Sequence, residues 1–228
     1  MTASDPLLDF EPAVRQVARL LDGITDEQLS APTPCEKYAV HHLLAHLVGL
    51  TAAFRDAARK ELGPSTDTDP GAALPVLDDD WRTRLPRQLD ELAAAWRSPD
   101  AWQATTRAGG VTLPGGTAGK VALNEVVVHG WDLARATGQA YAPDAAALRS
   151  SYELLEPTGG TPGDDGIFGT PVEVPGDAPL LDRVVARAGR SPSWPENTCP
   201  RCSPTSADCR RAGFRPCSRC TESAGPSA

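Results

Sequence analysis

The chain has 228 residues, 40% hydrophobic and 5% aromatic, which supports one sizeable domain with an appendage or two small domains, and a core of Ala, Leu and Val. The formal net charge of −8 at pH 7 disfavours contact with phosphate backbones, so nucleic acid is not an expected partner of the main body. No apolar run approaches the roughly 18 residues of a membrane span, and the N-terminal sequence lacks a secretory signal, so we expect a cytoplasmic protein without membrane contact.

Apolar residues recur at helical spacing in five long stretches and one short one. In chain order these stretches predict helices over residues 6–22, about 39–62, roughly 77–97, about 117–137, about 143–155 and 180–189. Gly23 and Gly138 are natural helix ends, and Pro86 predicts a kink or a late start in the third helix. Residues 98–116 predict an irregular link with a short extended piece. The three consecutive valines at 126–128 favour a strand, but helix-compatible segments flank them, so we predict a helix there.

Four long helices predict an all-α fold, an up-down four-helix bundle with additional C-terminal helices. We assign this bundle to a domain over residues 1–195, which includes a loop rich in Gly, Pro and Asp at 157–179. Residues 196–228 form a separate Cys-rich tail, because five of the six cysteines follow residue 198. Cysteines clustered in this way do not form the disulfide framework of a secreted fold.

Glu125 and His129 are the most specific local signal in the chain. They are four residues apart, so they project from one face of the predicted helix, and their neighbours are apolar nearly all round. A carboxylate in such a place costs several kcal/mol unless a cation or hydrogen-bond donors satisfy it. A metal ion held by both side chains is one solution. The alternatives are a Glu–His hydrogen bond, or a position for Glu125 at the helix edge in water.

His46 strengthens the metal interpretation because it also lies in an apolar helical stretch, LLAHLVGL. Lone histidines in such stretches are often satisfied core residues, which remains the alternative. His41 and His42 are expected in solvent, at the start of the same helix. Two imidazoles and one carboxylate from two packed helices would form an open site for a divalent metal, zinc with a water, or iron(II) or nickel(II).

Three segments carry a resemblance to a known family: TPCEKYAVHHLLAHLVG (33–49), LNEVVVHGWDLARATGQ (123–139) and residues 164–194. They resemble the DinB / mycothiol-dependent maleylpyruvate isomerase-like superfamily, in an actinobacterial branch, over about residues 8–194. The resemblance implies a DinB-like bundle with the metal triad His46, Glu125 and His129. Tyr38 stands where the family usually has tryptophan, a conservative change.

The resemblance also implies a function, although no substrate. Related enzymes use a low-molecular-weight thiol such as mycothiol, so the expected activity is a metal-dependent thiol transferase or isomerase, with a small-molecule thiol or substrate as partner. A coordinated thiol is deprotonated near neutral pH, which makes this chemistry physically reasonable. One alternative is a non-catalytic metal-binding protein linked to stress response or protein association. Another is a DNA-associated protein directed by the tail. A homo-oligomer is compatible with the sequence.

Asp132 and Cys35 each have two interpretations. Asp132 follows His129 by three residues and could hold its second ring nitrogen, or it could act as a surface cap or pair with Arg135. Cys35 precedes the second helix, whose N-terminus could lower its pKa, or it is a packed structural cysteine.

The tail carries two C-x-x-C pairs separated by 14 residues, a spacing typical of structural zinc sites. Its candidate ligands are Cys199, Cys202, Cys217 and Cys220. Its end, AGFRPCSRC, resembles the end of the Ada-type zinc domain, but the match is too short to imply methyl transfer. Because arginines outnumber acidic residues in the tail, contact with nucleic acid is conceivable for this segment alone. The alternatives are a zinc knuckle and a disordered remnant of a fusion.

Overall fold

The computed structural model of this protein describes residues 7–156 and 169–195. The chain divides into two units, residues 1–192 and 193–228, and every helix and strand given below belongs to the first unit. The four predicted zinc ligands of the tail lie outside the described residues. The zinc knuckle, the Ada-type resemblance and the domain boundary after residue 195 therefore stay predictions.

The described chain contains seven helices and a two-stranded sheet, which confirms the predicted all-α class. The elements in chain order are α1 (Glu11–Asp22), α2 (Val40–Arg59), α3 (Pro64–Asp67), α4 (Trp81–Trp96), β1 (Thr105–Ala108), β2 (Val111–Pro114), α5 (Gly115–Thr137), α6 (Ala145–Leu154) and α7 (Leu180–Arg187). Two short 3-10 turns lie at Asp26–Gln28 and Pro99–Trp102. None of the helices in the described ranges is long and apolar enough to cross a membrane.

The four long helices α1, α2, α4 and α5 form the bundle. α1 packs against α4 and α5, and α2 packs against the same two helices, so α1 and α2 lie at opposite corners. The core between them consists mostly of Ala, Leu and Val side chains, as the composition predicts. α6 packs on α5, and α7 packs on both α6 and α5. The additional C-terminal helices therefore cover the outer face of the helix that carries Glu125 and His129.

The starts of two helices differ from the predicted ones. α1 begins at Glu11 rather than at residue 6, because an earlier start would place Pro12 in the helix interior without an N–H to donate. α4 begins at Trp81 rather than at residue 77, but Pro86 still lies inside it, so proline does not set this start. α3 and both strands are additions that helical periodicity does not reveal. Gly138 ends α5 with a φ of 71°, a left-handed conformation that favours glycine.

The strands β1 and β2 form an antiparallel hairpin within the predicted irregular link. Its two-residue turn is Gly109-Gly110, and both glycines have positive φ, 59° and 77°. This geometry matches a type I′ turn, which requires positive φ at both central positions. The Gly-Gly pair between TTRA and VTLP was the available sequence signal for this hairpin.

Gly119 on α5 lies against the aromatic cluster of Phe10, Trp96 and Trp102. A Cβ atom at this position would lie 2.6 Å from Cζ3 of Trp102 and 2.8 Å from Cζ3 of Trp96. We expect Gly119→Ala to lower the free energy of unfolding by about 1–3 kcal/mol, because two rigid rings must shift. Urea unfolding measures the change.

Gly116→Ala is the matched control on the same helix. Its Cβ would lie 3.9 Å from the Trp102 carbonyl oxygen, which is ordinary contact, so we expect no loss of stability. Equal destabilisation by both variants would show that the cost comes from the helix backbone and not from the rings.

Candidate metal centre

The helices α2 and α5 bring the three predicted ligand side chains together. Oε2 of Glu125 lies 3.4 Å from Nε2 of His46 and 3.2 Å from Nε2 of His129. One potential ligand atom from each residue lies within 4.8 Å of the other two. The two imidazole rings are nearly perpendicular, with centroids 4.9 Å apart. Among the described His, Cys, Asp and Glu side chains, these three lie close enough together to hold a metal ion.

The cluster is largely buried, and its charges compensate one another. The exposed side-chain fractions are 12% for His46, 15% for Glu125 and 8% for His129. Burial acts to raise the pKa of the Glu125 carboxyl, but hydrogen bonds from His129 and His46 outweigh it and hold that pKa well below its usual range. Burial acts to lower the pKa of His129, but hydrogen bonds with Asp132 and Glu125 raise it to about 9. The predicted alternative of Glu125 in water at the helix edge is therefore wrong.

The donor set fits a divalent cation. Both Nε2 atoms face the same carboxylate oxygen, so three N and O donors converge from two helices. Nδ1 of His129 is engaged by Asp132, which leaves Nε2 to carry the lone pair when the ring is neutral. Two imidazoles and one carboxylate leave coordination positions open, as in catalytic zinc sites and non-haem iron sites. A Glu–His hydrogen-bond cluster without a cation satisfies the same distances, so the metal assignment stays a prediction.

Asp132 is fully buried, so the surface-cap interpretation is wrong. Its Oδ2 lies 2.9 Å from Nδ1 of His129 and accepts a second hydrogen bond from Nη2 of Arg190 at 3.1 Å. Sequence reasoning missed Arg190. This residue follows α7, 58 positions after Asp132, and nothing in its sequence context links it to the site.

Cys35 lies within electrostatic reach of the cluster, but its pKa is not lowered. Burial raises the pKa of the Cys35 thiol, the Arg190 guanidinium opposes this, and the carboxylates of Asp132 and Glu125 add to the rise. Of the two interpretations of Cys35, the packed structural cysteine agrees with this raised pKa, whereas a pKa lowered by the helix N-terminus does not.

His41 and His42 are outside the cluster and are engaged by other groups. Nδ1 of His41 lies 2.8 Å from the Leu29 carbonyl oxygen, and the Nε2 atoms of the two rings are 3.1 Å apart. Both rings line an open groove of about 760 Å³ together with Trp81 and Arg82, whereas none of the triad residues lines it. Both rings are partly exposed.

Fold and site together define a class of protein. It is a helical bundle with a largely buried His–Glu–His cluster between two of its long helices. The family model of the mycothiol maleylpyruvate isomerase N-terminal domain matches residues 10–134, more than half of the chain. The chain belongs to this family, which confirms the resemblance drawn from the sequence motifs. The matched range contains His46, Glu125, His129 and Asp132 but not Arg190.

The chain is also similar to individual proteins. Uncharacterised proteins of two Mycobacterium tuberculosis strains are each 28% identical over 191 residues, which cover 82% of this chain and 98% of the relative. The crystal structure of a histidine-to-alanine mutant of mycothiol-dependent maleylpyruvate isomerase matches with a TM-score of 0.51 and 19% identity. The unmutated isomerase gives a TM-score of 0.49 with 21% identity. Both matches cover 64% of this chain and 66% of the isomerase, just under two thirds, and the first shows a shared fold.

Proposed function

We propose that this protein binds a divalent metal ion through His46, Glu125 and His129, and uses it as a thiol-dependent transferase or isomerase. The observation that supports it best is the convergence of three potential ligand atoms within 4.8 Å of one another in a nearly buried cluster. Zinc is the proposed metal, with nickel or iron as alternatives that the same donors accept. The family membership supports a low-molecular-weight thiol such as mycothiol as the partner.

The three cluster residues and the side chains next to them would have separate roles in this chemistry. His46, Glu125 and His129 would hold the cation, which lowers the pKa of a thiol that it coordinates. Asp132 accepts from Nδ1 of His129 and so fixes the orientation of that ring. The Tyr38 ring lies 5.3 Å from the His46 ring and shields it on one side. Burial of the cluster limits the access of bulk water, which strengthens electrostatic interactions within it.

Metal content and thiol turnover test the two parts of this proposal. Protein purified without chelators should contain one divalent ion per chain at this site, and a second one only if the tail cysteines also bind zinc. Plasma mass spectrometry measures the content, with Zn²⁺, Ni²⁺ and Fe²⁺ compared in titrations. The metal-loaded protein should then catalyse the reaction of mycothiol, or of another low-molecular-weight thiol, with electrophilic acceptors, and the rate should depend on the metal. Metal binding without thiol-dependent turnover would assign the non-catalytic alternative. Failure to bind any of the three ions would overturn the proposal.

A further inference from the structure

A buried carboxylate connects the candidate metal centre to the C-terminal segment. Asp132 lies on α5, and its Oδ2 contacts both Nδ1 of His129 at 2.9 Å and Nη2 of Arg190 at 3.1 Å. Nε of Arg190 makes a longer contact of 3.4 Å with Oδ1. The side chain of Asp132 is completely buried and that of Arg190 is 11% exposed. Hydrogen bonds to both sides of one carboxylate fix its plane, and with it the direction from which Nδ1 of His129 must approach.

Arg190 reaches Asp132 because α7 ends in a tight reversal. Gly189 has a φ of 81°, and the N–H of Arg190 donates back to the Val185 carbonyl at 2.9 Å. A Cβ atom on Gly189 would lie 2.6 Å from Cα of Gly169, so the backbone of this segment leaves no room for a side chain. Nη1 of Arg190 donates to the Ala188 carbonyl at 2.6 Å, which holds the guanidinium in place. The end of α7 is therefore built to direct one guanidinium toward Asp132.

We propose that Arg190 is a positioning residue for the metal centre, and that metal binding at His129 and docking of the α7 segment strengthen each other through Asp132. The proposal rests on the metal site proposed above and adds a residue outside the matched family range. A carboxylate that holds the outer nitrogen of a metal-binding imidazole sets its orientation and basicity. Arg190 holds the same carboxylate through contacts with both of its oxygens. Coupling of this kind is reciprocal by thermodynamic necessity.

A purely structural ion pair would behave differently from a positioning residue. Its loss would lower the stability of the fold but leave the affinity of the folded protein for metal unchanged. The decisive measurement is therefore the dissociation constant for Zn²⁺, from competition with a chromogenic chelator, alongside hydrogen–deuterium exchange of residues 180–192 with and without Zn²⁺. Neither measurement depends on enzymatic activity.

The main variant is Arg190→Met, which removes the guanidinium and retains an apolar stem. We expect it to weaken Zn²⁺ binding about 10-fold, the lower end of the roughly 10–100-fold range for outer contacts to metal ligands, because Arg190 acts on His129 through Asp132. Zn²⁺ should slow exchange in residues 180–192 of the original protein but not of the variant. Arg187→Met, at the end of α7, is the matched control, since Arg187 donates to the Tyr152 carbonyl at 2.8 Å and packs over the Tyr152 ring. It should leave the Zn²⁺ affinity unchanged.

Two further variants keep the test decisive if Arg190→Met does not fold. Arg190→Lys preserves the charge but not the two-point contact, so Zn²⁺ affinity should fall by a smaller factor. In an Asp132→Asn background, Arg190→Lys should cause no further loss, because the link is already broken. The inference would be overturned if the losses of Zn²⁺ affinity from Arg190→Lys and Asp132→Asn were fully additive, or if the Arg190 variants bound Zn²⁺ as tightly as the original protein. Either result would leave the proposed function intact. Absence of Zn²⁺ binding by the original protein would instead overturn the proposed function, and this inference with it.

Discussion

Replacing Glu125 or His129 by alanine is expected to weaken the binding of a divalent cation by more than about 100-fold, beyond the 10–100-fold typical of outer contacts. Each substitution removes one of three donors that lie within 4.8 Å of one another. Each also leaves a buried partner without its compensating charge, since Glu125 contacts both imidazoles. Titration with Zn²⁺ against a competing chelator, on variants shown to be folded by circular dichroism, measures the loss.

The matched controls are His41→Ala and His42→Ala on α2, the helix that also carries His46. Their Nε2 atoms contact each other, and Nδ1 of His41 contacts the Leu29 carbonyl oxygen, so neither ring faces the cluster. Both variants should bind Zn²⁺ as the original protein does. An equal loss of affinity in all four variants would show that the ligand set is misassigned.

Trp96→Ala is expected to lower the free energy of unfolding by about 3–5 kcal/mol, the usual cost of removing a buried aromatic side chain. Trp96 is 1% exposed and stacks on Phe10 with ring centroids 5.7 Å apart. The Trp102 ring meets it edge-on at 5.1 Å, so the substitution would leave a cavity bordered by two aromatic rings. Chemical unfolding with urea, followed by circular dichroism, gives the change.

Trp96→Phe provides the control for this prediction. Nε1 of Trp96 has no hydrogen-bond partner among the described residues, so its removal costs no hydrogen bond. Phenylalanine can keep the stacking on Phe10, and we expect a clearly smaller loss of stability than with alanine. Equal losses for the two variants would show that the full indole, and not the stacking, stabilises this part of the core.

The sequence predicted the long helices well because their apolar periodicity is strong. It did not predict the hairpin or the short helix α3, which have too few residues for a periodic signal. The five long stretches all became helices, including the valine-rich segment at 126–128, since burial on α5 outweighs the strand preference of valine. The hairpin was missed because four-residue strands are too short for a periodic signal, although Gly109 and Gly110 marked its turn. α3 is a single turn of four residues, below the length at which periodicity is measurable.

Within the candidate site, residues on one helix were easier to identify than residues brought in from elsewhere. The spacing of Glu125, His129 and Asp132 on α5 places them on neighbouring turns. Arg190 could not be identified, because its position depends on the reversal at Gly189 and on the packing of α7 against α5. For Cys35 the sequence left two interpretations open, because the burial that raises its pKa comes from tertiary packing.

The position of α1 and α2 at opposite corners of the bundle has a consequence for the order of folding. Each packs on α4 and α5, so the first two helices cannot form a stable hairpin by themselves as they leave the ribosome. Closing such long loops is slow, and until residue 137 is available the apolar faces of α1 and α2 lack one of their two partners, α5. Two of the three clustered side chains lie on α5 itself. The His–Glu–His cluster therefore assembles only when α5 packs against α2, so its formation reports on that step of folding.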